Sequence, residues 1–242
     1  MKKRLDRLLV ERGLAETREK AQALIMANRV MVEGQPATKA GTAVAEDAAI
    51  LLKEGGLSYV GRGGQKLEGA AKAFELQVAG AVCVDVGSST GGFTQFLLMA
   101  GASRVFAVDV DVKQLDWRIR QDARVVPVEK NARFLEPTDI GEPADLITID
   151  ASFISLTMLL PQIPAILKRG GQCVALVKPQ FEVGRGRVGK GGIVKDEEDQ
   201  RAAVEKCSSA GEAAGLRFVM SAESPITGRE GNREFFILFE KI

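Results

Sequence analysis

Histidine is missing from the 242 residues of the sequence. Its absence excludes Ser-His-Asp and Cys-His catalysis, histidine general bases and metal sites held by imidazole. Any acid–base chemistry must therefore use lysine, aspartate, glutamate or tyrosine. We expect no requirement for a metal.

Cysteine is scarce, and its spacing is uninformative for metal binding. Cys83 and Cys173 lie in apolar, strand-like segments and Cys207 lies in a predicted helix, with no C-x-x-C pair. Zinc and redox motifs use such pairs. We therefore expect buried free thiols rather than a disulfide framework or a zinc site.

Long apolar runs are missing too. The runs at 81–86 and 147–149 fall far short of the roughly 20 residues that cross a bilayer. The basic start, MKKRLDR, leads into an amphipathic pattern, whereas a secretory signal would continue with an apolar stretch. These features predict a cytoplasmic protein without a membrane partner.

The chain also lacks a large excess of one charge, since its formal net charge is +1. With 45% hydrophobic and 27% charged residues it has the composition of a soluble globular protein. Any nucleic-acid contact must come from local patches. One patch lies near the start, where Lys2, Lys3, Arg4, Arg7, Arg12, Arg18, Lys20 and Arg29 outnumber the acids Asp6, Glu11, Glu16 and Glu19.

Residues 1–60 have the pattern of a small α+β domain. Leu5, Leu8 and Leu9 form one helical stripe, a second helix follows Thr17 and ends near Asn28, and short strands come next. The segment RLDRLLVERGLAETREKAQALIMANRVMVEGQPA (4–37) resembles the S4 RNA-binding domain. The resemblance implies that Arg4, Arg7, Arg18 and Lys20 bind RNA phosphates; taken singly, each could merely solvate a helix surface.

A glycine-rich connector at about 54–64 predicts a boundary, with a catalytic domain at 61–242. Strands and helices alternate from there, which is typical of a doubly wound, mostly parallel Rossmann-like sheet of seven strands that binds ligands at its carboxyl edge. We expect the last strand to run antiparallel. Strands are predicted at 81–86, 104–109, 124–128, 145–149, 172–177, 217–221 and 235–240, and helices at 64–76, 92–100, 113–121, 156–168 and 197–214.

The loop after the first of these strands, VDVGSSTGGF (84–93), predicts the cofactor. A dinucleotide site prefers G-x-G-x-x-G, which accommodates a pyrophosphate. Here Asp85 precedes the turn and would repel phosphate, which favours S-adenosylmethionine over NAD. The predicted contacts are Asp85, Gly87, Ser88, Gly91, Gly92 and Phe93, together with Asp109 for the ribose hydroxyls, where Asp111 is the alternative, and Asp150.

Ionisable residues converge on the same edge of the predicted sheet. Asp150 and Lys178 each follow a strand, and Glu234 begins the last strand, so an antiparallel last strand brings all three together. Lys66, on the helix that enters the domain, can reach the same cleft. These four are the predicted catalytic residues.

Six motifs carry a second resemblance: GRGGQKL (61–67), DVGSSTGGF (85–93), VDVD (108–111), TIDASFISL (148–156), LVKPQFE (176–182) and GNREFF (231–236). They are similar to those of FtsJ-like ribose 2′-O-methyltransferases, and the whole chain resembles the TlyA-type rRNA methyltransferase family, also called haemolysin A. The resemblance implies a class I methyltransferase fold and a K-D-K-E catalytic set at Lys66, Asp150, Lys178 and Glu234. It also implies that the target is a cytidine in small- or large-subunit rRNA, and that the binding partner is the rRNA itself or the ribosomal subunits.

Chemistry supports a lysine base. A ribose hydroxyl must lose its proton as it attacks a methyl group, and a neutral lysine can accept it. Lys178 is the predicted base, Lys66 would favour its neutral form, and Asp150 and Glu234 would orient the amines. The loop 181–194 carries Arg185, Arg187 and Lys190, which with Arg62 would contact RNA phosphates; the alternative for this loop is a flexible, solvated connection.

Three other functions compete with this interpretation. A non-catalytic ribosome-assembly factor would use the same domains for RNA binding alone. A membrane-active haemolysin would need an apolar span or a strongly amphipathic basic helix, which the sequence lacks. An NAD oxidoreductase is disfavoured by the glycine-rich loop.

Overall fold

The computed structural model describes residues 2–26, 29–37, 39–52 and 59–242, with the side chains of Ala23, Met26 and Arg185 left out. The chain forms two compact units, Met1–Ser58 and Tyr59–Ile242. Of the predicted connector, residues 54–58 lie outside the described part, so the connector and its boundary stay a prediction. The predicted helix end near Asn28 also falls outside it.

The first unit is a small α+β structure, as predicted. Its elements are β1 (Lys2–Arg4), α1 (Leu5–Glu11), α2 (Arg18–Met26), β2 (Val30–Val32), β3 (Gln35–Pro36), β4 (Ala43–Ala45) and β5 (Ile50–Leu52). Strands β1 and β4 pair, and β3, β2 and β5 form a second antiparallel sheet. The predicted stripe of α1, Leu5, Leu8 and Leu9, is buried against Ala21 and Ile25 of α2.

The second unit contains a seven-stranded sheet in the order β11-β12-β10-β9-β6-β7-β8. Pairing is parallel from β10 through β8, whereas β12 is antiparallel to both neighbours, β10 and β11. This confirms the mostly parallel sheet with an antiparallel last strand. The strands are β6 (Val82–Val86), β7 (Arg104–Asp109), β8 (Val125–Glu129), β9 (Ala144–Ile149), β10 (Leu167–Val177), β11 (Leu216–Glu223) and β12 (Phe235–Lys241).

The helices of this unit are α3 (Gly63–Ala73), α4 (Gly92–Met99), α5 (Trp117–Arg120), α6 (Pro137–Ile140), α7 (Ile163–Ile166), α8 (Pro179–Glu182) and α9 (Glu197–Ala213). Two predicted helices are broken up. Residues 113–121 form a 3₁₀ turn, Val112–Gln114, and then α5, because Asp116 caps a new start by accepting from the Arg118 amide. Residues 156–168 form two 3₁₀ turns and α7, where Pro161 and Pro164 lack the N–H that a continuous helix needs.

Apolar residues cover both faces of the large sheet. Along β6, Val84 and Val86 pack into one cluster and Cys83 into the other, since successive side chains point to opposite faces. All three cysteines are buried and free, and burial raises the pKa of the Cys83 thiol to about 12. Among the described helices, none has the length and apolar character of a membrane span.

Candidate active site at the carboxyl edge of the sheet

A cleft of about 1080 Å³ opens in the second unit where β6, β7, β9 and β10 end. This is the edge at which doubly wound sheets bind ligands. The loop after β6 forms one wall. The start of α3, the segments after β7, β8 and β9, and the start of α8 also contribute lining residues.

Close backbone approaches shape the wall made by the loop after β6. Gly87 has a φ of +84°, and a Cβ there would lie 2.7 Å from the carbonyl oxygen of Asp150. A Cβ on Gly92 would lie 2.9 Å from the amide nitrogen of Gly64. Only glycine fits both constraints. The loop is therefore packed directly against the segment that ends in Asp150 and against the start of α3.

Six of the eight predicted cofactor residues line the cleft: Gly87, Ser88, Gly92, Phe93, Asp109 and Asp150. The hydroxyl of Ser88 is buried and has no hydrogen-bond partner among the described residues. Such an atom is suited to a ligand, because a buried polar group without a partner costs free energy. Phe93 also packs on Phe236, with ring centroids 6.2 Å apart.

The structure places Asp109 and Asp111 differently relative to the cleft. Asp109 lines the cleft, and its carboxylate accepts from the amides of Ser89 at 2.9 Å and Asp111 at 3.1 Å. Asp111 instead caps the turn Val112–Gln114 by accepting from the Lys113 amide, and it is not among the described lining residues. Asp109 therefore fits a ribose-binding role better than Asp111.

Asp85 and Gly91 are not among the described residues that line the cleft. The expectation that Asp85 faces the ligand is corrected here, because its side chain is fully buried. It accepts from Thr94 Oγ1 at 2.6 Å and from Thr148 Oγ1 at 3.2 Å. Burial raises the pKa of Asp85 to about 7. Its position suits it to joining β6 to α4 and β9 rather than to direct contact with a cofactor.

This burial predicts an unusual pH dependence of stability. Because the pKa of Asp85 rises from 3.8 to about 7 on folding, the folded protein binds the proton more tightly than the unfolded chain. The free energy of unfolding then falls as pH rises across that interval. Asp85→Asn removes this effect, and the gain at about pH 8 should reach at most about 4 kcal/mol. Denaturant titration from about pH 4 to pH 8 measures it.

Asp145→Asn is the matched control, because Asp145 is partly exposed and paired with Lys168. Its effect should stay below about 1 kcal/mol. An Asp85→Asn protein that is less stable than wild type at every pH would mean that the carboxylate is needed in its charged form.

The four predicted catalytic residues meet in the cleft as two ion pairs. Lys66 Nζ lies 2.5 Å from Glu234 Oε2, and Lys178 Nζ lies 2.6 Å from Asp150 Oδ1. Both lysines are 8% exposed and Glu234 is 3% exposed. Lys66 reaches the cleft because the apolar stripe of α3, which includes Leu67 and Ala70, faces the core beside it. The antiparallel direction of β12 brings Glu234 to the same edge.

The predicted RNA contacts of the second unit have different surroundings. Arg62 lines the cleft and donates to the carbonyl of Thr227 at 2.7 Å. Arg187 forms an ion pair with Asp199, in which Nη1 lies 2.5 Å from Oδ1. Lys190 is exposed but is not among the described lining residues, and the side chain of Arg185 lies outside the described part. The loop borders the cleft through Val188, Gly191 and Gly192.

The basic residues of the first unit are partly engaged. Arg4 and Arg18 both contact the buried carboxylate of Asp6 at 2.9 Å. The hydrogen bond from Arg4 holds the pKa of Asp6 well below its usual range. Lys20 pairs with Glu16. Arg7 is exposed and forms no ion pair with a described residue, so its side chain is the most available of the four.

Sequence reasoning missed several lining residues. Ser152, Phe153 and Gln180 lie in the cleft wall, and Ser152 accepts a hydrogen bond from Lys178. All three stand within two or three positions of Asp150 or Lys178, in motifs already quoted, and that proximity could have found them. Asn131, which caps a 3₁₀ turn after β8, carried no comparable signal.

The fold and the cleft define a class of α/β protein that has a ligand-sized cleft at the carboxyl edge of its sheet, with lysines and carboxylates paired there. The chain belongs to the FtsJ-like methyltransferase family, whose model matches residues 59–241. Residues 3–50 match the S4 domain. This combination places the chain with the TlyA-type proteins and argues against an NAD oxidoreductase.

Similar proteins cover nearly the whole chain. TlyA of Mycobacterium tuberculosis, named a 16S/23S rRNA (cytidine-2′-O)-methyltransferase, is 44% identical over 97% of this chain and 88% of that protein. Hemolysin A of Brachyspira hyodysenteriae is 38% identical over 98% of this chain and 99% of that protein. A solved structure from Streptococcus thermophilus is 42% identical, covers 99% of this chain and 88% of that one, and superposes with a TM-score of 0.77.

Proposed function

We propose that the protein transfers a methyl group from S-adenosylmethionine to the ribose 2′-hydroxyl of a cytidine in small- or large-subunit rRNA. The observation that carries the proposal is the pair of buried lysine–carboxylate contacts in the cleft, Lys66–Glu234 and Lys178–Asp150. In a chain without histidine, a lysine amine is the natural proton acceptor for a hydroxyl. The relative of M. tuberculosis is named for this reaction.

The cleft offers suitable partners for the cofactor. The unpartnered hydroxyl of Ser88 and the backbone of the loop after β6 would hold its amino-acid end. The carboxylate of Asp109, with lone pairs left after accepting two amides, would accept from the ribose hydroxyls. When bound, S-adenosylmethionine supplies a methyl group on a positively charged sulfur, which leaves as a neutral thioether.

The chain's own residues would manage the proton. As the 2′-oxygen bonds to the methyl carbon, its proton passes to Nζ of a neutral Lys178, which becomes an ammonium ion. Asp150, 2.6 Å from Nζ, stabilises that new charge. Lys66 stabilises the negative charge that develops on the 2′-oxygen, since a fixed cation in a site of low dielectric acts strongly, and Glu234 holds Lys66 in place.

Methyl transfer with radiolabelled S-adenosylmethionine tests the proposal. Purified protein should label ribosomal subunits or their RNA, and calorimetry should detect binding of S-adenosylmethionine. If the protein binds RNA but neither binds the cofactor nor transfers label, it is a non-catalytic assembly factor. Leakage of liposomes by the protein would instead favour a membrane-active function.

We further propose that the first unit docks on RNA phosphates through its basic residues. Arg7→Glu combined with Lys20→Glu should weaken RNA binding and lower the slope of log K against log salt by about 2, because each lost phosphate contact lowers it by about one. These two positions are chosen because Arg4 and Arg18 also hold the buried charge of Asp6. Filter binding at several salt concentrations measures the slope.

The matched control is Arg104→Glu combined with Arg217→Glu. These arginines are exposed, ion-paired and located at the starts of β7 and β11, away from the carboxyl edge. This double variant carries the same change of charge and should keep the wild-type slope. If Arg7→Glu with Lys20→Glu lowers the slope no more than the control variant does, the first unit is not the docking element.

A further inference from the structure

Ser152 stands beside the proposed base. It lies in the cleft wall two residues after Asp150, and its Oγ accepts a hydrogen bond from Lys178 Nζ at 2.8 Å. The contact of the same Nζ with Asp150 Oδ1 at 2.6 Å is an ion pair whose angle is poor for a hydrogen bond. The well-directed hydrogen bond of this amine therefore goes to the serine.

We propose that Ser152 is a positioning residue that directs the lone pair of Lys178 toward the substrate; this inference rests on the proposed function. A neutral amine nitrogen has four tetrahedral directions. One is its bond to Cε, and the N–H that Ser152 accepts takes a second. With two of the four directions fixed, the lone pair is confined to the remaining two, beside the cleft that Asp150 and Ser152 both line.

The two acceptors contribute in different ways. Asp150 carries charge and stabilises the ammonium form, whereas a serine oxygen accepts an N–H without adding charge. Ser152 can therefore fix the orientation of the amine with less bias toward its protonated form. Without Ser152, Asp150 alone would restrain the amine, and Nζ could move from the place where the hydrogen bond to the serine holds it.

Lys66 provides an internal comparison. Within the described residues its hydrogen-bond partner is Glu234, so one contact restrains its amine instead of two. This difference favours Lys178 as the residue whose lone pair is held in a defined direction.

The loop that carries Ser152 is anchored to the helix that follows Lys178. Glu182, at the end of α8, accepts from Ser155 Oγ at 2.6 Å and from the Leu156 amide at 2.7 Å. Between these anchors and Asp150, Phe153 adopts a φ of +62°, which a bulky residue rarely does. Backbone strain of this kind persists where surrounding contacts enforce it. Phe153 directly follows Ser152, so the contacts that enforce the strain also hold the serine in place.

A double-mutant cycle tests whether Ser152 acts through Lys178. Ser152→Ala should lower the single-turnover rate about tenfold in the wild-type background and leave it unchanged in a Lys178→Ala background. Ser152→Thr, which keeps the hydroxyl, should recover most of the rate. Ser103→Ala, at the opposite edge of the sheet, where its hydroxyl bonds the Ala81 carbonyl, should match wild type.

The result that overturns the proposal is an equal loss in both backgrounds, which would give Ser152 a role independent of the lysine; full activity of Ser152→Ala would overturn it as well. An inactive wild type would instead contradict the proposed function. In that case, crystal structures of the wild type and of Ser152→Ala still test whether the serine positions the lysine. It predicts that Nζ of Lys178 leaves its position in the variant, and an unmoved Nζ contradicts it.

Discussion

Lys178→Ala is expected to reduce methyl transfer by about 10²–10⁴-fold with cofactor affinity retained, because general-base catalysis typically contributes this much. Lys178 is 8% exposed and its amine is held between Asp150 and Ser152, so bulk water cannot readily replace it. Single-turnover rates with radiolabelled cofactor measure the loss. Calorimetry on the same variant measures cofactor affinity.

Lys178→Arg separates a base from a cation at this position. A guanidinium stays protonated and cannot accept the proton, so the variant should remain as slow as Lys178→Ala. A Lys178→Arg enzyme with a near wild-type rate would mean that the residue acts as a fixed positive charge and not as the base.

Glu234→Ala should both destabilise the protein and slow methyl transfer. Removing the carboxylate leaves the amine of Lys66 buried without its charge partner, and breaking such a pair costs about 3–5 kcal/mol. Lys66 would also lose the contact that fixes it, so the single-turnover rate should fall at least about tenfold. Denaturant titration measures the first effect and radiolabel transfer the second.

Glu240→Ala, on the strand β12 that Glu234 directly precedes, is the control for Glu234→Ala. Glu240 pairs with Arg217 near the surface, where side-chain exposures are 35% and 54%, and such pairs contribute about 0–1 kcal/mol. A destabilisation by Glu234→Ala no larger than that of Glu240→Ala would mean that the contact with Lys66 contributes little to folding.

The large sheet and the convergence of its polar residues were predictable from sequence. Near-continuous apolar runs marked the strands, and parallel strands present their carboxyl ends at one edge. That rule alone brings Asp150 and Lys178 together, and an antiparallel β12 adds Glu234. The direction of β12 was an assumption that the pairing with β10 confirms.

The direction in which some side chains point, and the partners with which they pair, could not be predicted from the sequence. Asp85 shares the face of Cys83 on β6 by alternation, yet its position before a glycine turn suggested the ligand. Arg187 pairs with Asp199 twelve residues away, a contact that local patterns do not encode. The predicted helix lengths were wrong where a new N-cap, Asp116, or a proline, Pro164, interrupts a continuous apolar pattern.

Identification of the methylated nucleoside tests the central claim most directly. Unmodified ribosomal subunits would be incubated with the protein and S-adenosylmethionine, their RNA digested to nucleosides, and the product analysed by mass spectrometry. We expect 2′-O-methylcytidine with the wild type and a loss of that product with Lys178→Ala. A methyl group on a base, at undiminished rate in Lys178→Ala, would contradict the account.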